Sequence, residues 1–117
     1  MKHLVLIFIL LTVAASTSLL AATSLTLQPE SVPAASTAEL FEKQCASCHG
    51  KDGRAKTIKG KLKHARNLTD AEWQGKVSDE RIFNSITNGK EKMPAFGKKL
   101  SQEQIEALVT YVRAFKK

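Results

Sequence analysis

A chain of 117 residues has room for one domain and an appendage, and nothing in it marks a second domain. Its 18 lysines and arginines outweigh 11 acidic residues, for a formal charge of +7. These cations are not interleaved with stacking aromatics, so the pattern of a nucleic-acid binder is excluded.

Met1-Lys2-His3 precedes an apolar run from Leu4 to Ala15, the layout of a secretory leader. Val13-Ala14-Ala15 and Leu20-Ala21-Ala22 are both suitable cleavage points. Leu4 to Ala22 carries no charge over 19 residues, so residues 1–22 read as a signal peptide or as an uncleaved anchor. Either way the body of the protein is expected outside the cytoplasm, in a periplasm or equivalent space, with the anchor as its sole membrane contact. Residues 23–35 hold Pro29, Pro33, Ser and Ala without apolar period, and read as a disordered linker before a domain at 36–117.

Ser36 and Glu39 fit a capping box that opens a helix from about Thr37, burying Leu40 and Phe41. The helix runs into Cys45-Ala46-Ser47-Cys48-His49, the pattern that attaches a c-type haem. On one helical turn Cys45 and Cys48 project from the same face and can meet two porphyrin vinyl groups, while His49 can give a nitrogen to iron. A disulfide between the two cysteines would close too small a loop to constrain the unfolded chain. A redox-active C-x-x-C expects a preceding strand, and none is present. A zinc site could draw only on Cys45, Cys48, His49 and His64, with adjacent Cys48 and His49 awkward in one tetrahedron. Gly50 is placed to end the helix.

From Gly50 to Arg66, glycines alternate with lysines and arginines, and Ile58 and Leu62 are the large apolar residues. The stretch reads as a long surface loop on the His49 side of the ring. Thr69 and Glu72 suggest a second capping box, with a short helix through Trp73 ending at Gly75. Ser78 caps a third helix with Asp79 and Glu80 in its first turn, Ile82, Phe83 and Ile86 on its buried face, and Asn88-Gly89 at its end. After the loop Lys90–Gly97, Ser101 and Gln104 box the start of the longest helix, where Ile105, Leu108, Val109, Val112 and Phe115 form an apolar stripe. No stretch alternates like a strand, so the fold class is all-α.

So small a domain with few aromatic residues is near the limit at which one core suffices, and a covalently held porphyrin supplies the missing core. Outside the leader Met93 is the sole methionine, and it sits in a polar loop where the gap-filling role of a core methionine fits badly. Pro94 stiffens that loop and favours extended backbone at Met93, suiting a sixth ligand to iron. His64 is the competing sixth ligand or a solvated loop histidine, and an open sixth site is the third possibility.

From about Ser36 to Phe115 the chain resembles the small single-haem class I cytochromes c of bacteria and photosynthetic organisms. The resemblance rests on Cys45-Ala46-Ser47-Cys48-His49-Gly50, on Gly89 through Met93-Pro94-Ala95-Phe96-Gly97, and on Leu108 with Tyr111. It implies three to four short helices wrapped around one covalent haem, with the first and last helices crossing and Phe41 against Leu108 and Tyr111. Thr37 stands where many members have glycine at that crossing, and Arg66 lies in a segment where many have proline. Arg66 is available to a haem propionate or to solvent, and Trp73 to a propionate or to the core. A backbone carbonyl of this region is expected to orient His49 through its other ring nitrogen.

Two filled axial positions leave none for oxygen, peroxide or substrate. The expected function is one-electron transfer between Fe(II) and Fe(III), not enzymatic catalysis, between exported or membrane-bound redox complexes. The alternatives are a haem enzyme or ligand sensor with a displaceable sixth ligand, and the electron-entry subunit of a larger oxidoreductase. Removing Lys2 with the leader leaves 17 basic residues against 11 acidic ones. Lys90, Lys92, Lys98 and Lys99 flank Met93, where they would steer a monomeric carrier to an acidic docking surface or simply keep it soluble.

Overall fold

The structure, a computed structural model, describes residues 32–116. The leader at 1–22 and most of the linker lie outside the described residues. Among the described residues six helices follow in order: α1 Ala34–Gln44, α2 Ala46–His49, α3 Ile58–Lys63, α4 Ala71–Lys76, α5 Asp79–Asn88 and α6 Gln102–Arg113. Among the described residues there is no strand, only an isolated bridge between Lys90 and Met93. The all-α expectation holds.

α1 begins earlier than the capping pattern suggests. Pro33 is its N-cap, and no side-chain cap forms. The Ser36 and Thr37 hydroxyls instead both donate to the Pro33 carbonyl, at 2.7 and 3.2 Å. Proline has no N–H to leave unsatisfied, so a start at Pro33 costs less than one that ignores it. Ala34 and Ala35 are therefore helical and not linker. Nor does one helix run through the cysteine motif. It breaks at Cys45, whose φ of −115° separates α1 from the single turn of α2.

α1 packs on α6, as does α5. At the α1–α6 crossing Phe41 lies 5.1 Å from Tyr111 and 5.2 Å from Phe115, ring centroid to centroid. Tyr111 and Phe115 meet edge to face at 5.3 Å. Such pairs each add about 0.5–1.5 kcal/mol beyond the area they bury. Thr37 is buried in α1 with its hydroxyl satisfied by the Pro33 carbonyl. The core combines Phe41 with Leu68, Ile82, Ile86, Phe96 and the α6 stripe Ile105, Leu108, Val109 and Val112.

Residues 50–66 are not all loop. Thr57 caps α3 by accepting from the Gly60 N–H at 2.9 Å, and His64 ends it in the left-handed region. The cap of α4 is Asp70, one residue later than expected. Its carboxylate takes the N–H groups of Glu72 and Trp73, while Thr69 is held by the Asn67 side chain. α4 also runs past Gly75 to Lys76. Ser78 caps α5, and Ser101 with Gln104 forms the full capping box of α6, both as expected.

A polar clamp joins α4 to α6. Buried Gln74 donates its amide to the carbonyls of Leu68 and Val112, at 2.8 and 2.9 Å. Arg113 donates to the Gln74 backbone and side-chain oxygens and to the Val77 carbonyl, at 2.7, 2.9 and 2.7 Å. Its Nε meets exposed Asp79 at 2.6 Å. Every polar atom of Gln74's side chain is thereby satisfied, which is what permits its burial.

Candidate functional site

The kink at Cys45 leaves Cys45, Cys48 and His49 half-buried on the wall of one cavity of about 690 Å³. Phe41, Leu68, Ile82, Ile86, Phe96, Leu108 and Val112 form its apolar lining. Its size lies in the range of about 300–1,000 Å³ usual for cofactor sites. Met93 enters from the opposite end of the sequence and lines the same cavity.

Burial, and then the neighbouring Cys48, pushes the Cys45 thiol up to about 11. A thiol so rarely ionised is a poor nucleophile, which argues against a redox-active C-x-x-C. The two cysteines are unbridged. Among the described residues no three His, Cys, Asp or Glu side chains gather as a metal cage, and His64 is exposed, so the zinc arrangement is not built.

His49 Nδ1 lies 2.9 Å from the Arg66 carbonyl oxygen. A carbonyl can only accept, so Nδ1 carries the proton and Nε2 keeps its lone pair. Burial lowers the imidazole's affinity for a second proton, and the bond to Arg66 opposes this in part. The ring is thus neutral at pH 7 with one nitrogen free to ligate metal. The expected orienting carbonyl exists, and it belongs to Arg66.

Met93 is held by a tight turn. Its N–H donates to the Lys90 carbonyl at 2.8 Å, and the Lys90 N–H returns to the Met93 carbonyl at 3.1 Å. Glu91 adopts φ 54° inside this turn, and Gly89 adopts φ 75° before it. A side chain at Gly89 would collide with the Met93 carbonyl at 2.6 Å, so only glycine allows the turn to close. Beyond Pro94, the N–H groups of Phe96 and Gly97 bond to the carbonyls of Ile86 and Thr87, fastening the loop to the end of α5. The backbone that carries the thioether is thus fixed on both sides.

The rim is rich in cations. Lys59, Lys63, Arg66, Lys90 and Lys92 line the cavity and are exposed, beside exposed His64 and one acid, Glu91. Lys98 and Lys99 are exposed but do not reach it. The Arg66 guanidinium stands 6.0 Å from the centre of the Trp73 ring, and Trp73 itself packs half-buried against the core. Thr57 escaped the sequence reading: its hydroxyl lies 2.9 and 3.0 Å from the carbonyls of Ser47 and Cys48, tying α3 to the cysteine motif. A threonine directly before an apolar residue is an N-cap signal that could have revealed it.

The residues present suit the group that the motif calls for. Two thiols, one imidazole nitrogen of defined tautomer and one thioether border an apolar cavity of cofactor size. Residues 32–112 match the family model described as cytochrome C oxidase, cbb3-type, subunit III. The chain is 41% identical over 86 residues to the cbb3-type cytochrome c oxidase subunit FixP of Azorhizobium caulinodans, covering 72% of this chain and 28% of that protein. It is 43% identical to cytochrome c6 of Rippkaea orientalis, covering 64% of each. The chain thus spans about a quarter of the first relative and just under two thirds of the second. Among solved structures the KustC0563 c-type cytochrome superposes with a TM-score of 0.66 at 46% identity, over 69% of this chain and 98% of that one. Motif, cavity and these likenesses agree, and the chain belongs to the small monohaem class I cytochromes c, which hold one haem c with its iron covalently.

Proposed function

We propose that the protein is an electron carrier, in which Cys45 and Cys48 would attach the haem through thioethers and His49 Nε2 and Met93 sulfur would hold its iron. The observation that carries this reading is the meeting of all four side chains at one apolar cavity. When bound, the haem supplies a one-electron couple between Fe(II) and Fe(III). The Arg66 carbonyl orients the His49 ring, and the Lys90–Met93 turn holds the backbone that carries the sulfur, so both oxidation states would meet the same protein geometry. Methionine as a donor raises the potential relative to two histidines. With His49 and Met93 both holding the iron, no position on it would remain for substrate, so the protein would be a carrier and not an enzyme. Its partners are redox proteins with acidic surfaces, met by a monomeric carrier exported to the periplasm or its equivalent.

Carbon monoxide tests this reading. The reduced protein at neutral pH should not bind it, because Met93 occupies the sixth position. Rapid binding would favour a haem enzyme or ligand sensor instead.

A second reading has support from the family match: the domain serves as the electron-entry module of an oxidase assembly. FixP is by name an oxidase subunit, and the matched model is of subunit III. Stable co-purification with an oxidase would favour it over a free carrier.

A further inference from the structure

We propose that the outer face of α3, a ridge of Ile58 and Leu62 set among lysines, is the docking surface for an acidic redox protein. The proposal rests on the electron-carrier reading and places its encounter surface.

Ile58 is 83% exposed and Leu62 69% exposed, the two large apolar side chains left open among the described residues. Four residues apart, they stand on the same side of the helix. Lys59, Lys61 and Lys63 are interleaved with them, and no acidic residue lies anywhere from Arg54 to Arg66. An apolar centre within a charged rim is the anatomy of a protein interface: the rim steers the encounter and the centre holds it.

The ridge is firmly mounted. Thr57 ties the N-terminus of α3 to the Ser47 and Cys48 carbonyls. Gly60 faces inward so tightly against the Cys48 carbonyl that no side chain fits there. From the other side of the cavity, Lys92 donates to the Leu62 carbonyl at 3.3 Å. The exposure of Ile58 and Leu62 therefore does not come from a loose segment. Lys59 and Lys63 of the same helix line the cofactor cavity, so a partner seated on the ridge lies against the cavity wall.

Charge selects the occupant. Two copies meeting through α3 would set these lysines against one another, which like-charge repulsion opposes. A six-residue helix with two apolar side chains presents little of the broad apolar face by which interfacial helices enter a bilayer. An acidic protein surface satisfies both the lysines and the ridge.

The test uses the haem-loaded protein and its I58S/L62S variant in stopped flow. The hydroquinone of an acidic flavodoxin is the protein reductant of the ferric form, and hexacyanoferrate(III) is the small oxidant of the ferrous form. Each exchange moves one electron; the flavin anion becomes the neutral semiquinone, and no bond to the protein forms or breaks. Loss of two buried apolar contacts should lower the second-order rate with flavodoxin about tenfold, while the rate with hexacyanoferrate and the haem spectrum stay unchanged. Lys61→Gln should lower the flavodoxin rate at low salt and flatten its salt dependence. Equal flavodoxin rates for wild type and I58S/L62S overturn the proposal. So does unchanged flavodoxin kinetics accompanied by loss of binding to vesicles of equimolar phosphatidylcholine and phosphatidylglycerol, which assigns the ridge to lipid. Loss of self-association in sedimentation at unchanged flavodoxin kinetics assigns it to a second copy and overturns it equally. Failure of the wild type to exchange electrons even with hexacyanoferrate is a different result, and removes the carrier reading itself.

Discussion

Gly60 presses its Cα against the Cys48 carbonyl so closely that a methyl group at residue 60 would overlap the oxygen. This contact seats α3 on the cysteine motif and sets the position of the cavity wall. Gly60→Ala must therefore push the two segments apart, at a cost of about 1–3 kcal/mol by the usual scale of overpacking. Gly75, inside α4, has nothing near its absent side chain. Gly75→Ala should stabilise by up to about 1 kcal/mol through helix propensity and the unfolded chain. Thermal midpoints of the two haem-loaded variants, moving in opposite directions from wild type, check the pair.

Arg113 fastens the end of α6 to α4 through buried Gln74. Arg113→Ala strands the oxygen atoms of Gln74 and Val77 that it satisfies, and should cost about 1–3 kcal/mol in guanidinium unfolding. Asp79→Ala removes only an exposed partner and should cost less than about 1 kcal/mol. Equal losses for both would show that the surface ion pair, and not the clamp, is what matters.

His49 makes stability depend on acid. In the unfolded chain it takes a proton near 6.5, and burial in the fold moves that event to lower pH. Between the two values the unfolded state holds more protons, so stability is whole above 6.5 and falls as the pH drops below it. Protons also compete with iron for Nε2, in the same direction. Denaturant midpoints of the haem-loaded protein should decline on acidification through this window. A flat profile would mean that His49 is not held neutral by the fold.

Haem should be needed for folding. Phe41, Leu68, Ile82, Ile86, Phe96 and Leu108 belong to the core and also line the cavity, so haem-free polypeptide leaves them without packing partners across about 690 Å³. A domain stability of about 5–15 kcal/mol leaves little room for such a loss. Circular dichroism of protein made without haem attachment should show a largely unfolded chain. A cooperative thermal transition there would contradict this.

Much of the candidate site was legible because its residues are close together in sequence within each motif. Cys45, Cys48 and His49 are contiguous, and Met93-Pro94 is a short motif whose backbone limits are intrinsic. The capping boxes succeeded where the hydroxyl had no rival, as at Ser101, and failed where it had one. At Ser36 the Pro33 carbonyl captured the hydroxyl, and at Thr69 the Asn67 side chain did. The helix within 58–63 was hidden because its apolar residues face solvent and its inward residue is a glycine, which inverts the usual amphipathic signal. The Gln74–Arg113 clamp joins residues far apart in sequence, and no local pattern announces such a pair.

The far-red absorption of the oxidised protein bears most directly on the central claim, that Met93 sulfur is the donor paired with His49 on iron. The weak charge-transfer band of a sulfur–iron bond should be present in wild type and in His64→Ala, and absent in Met93→Ala. A wild type without the band, or a Met93→Ala protein that keeps it, would contradict the assignment.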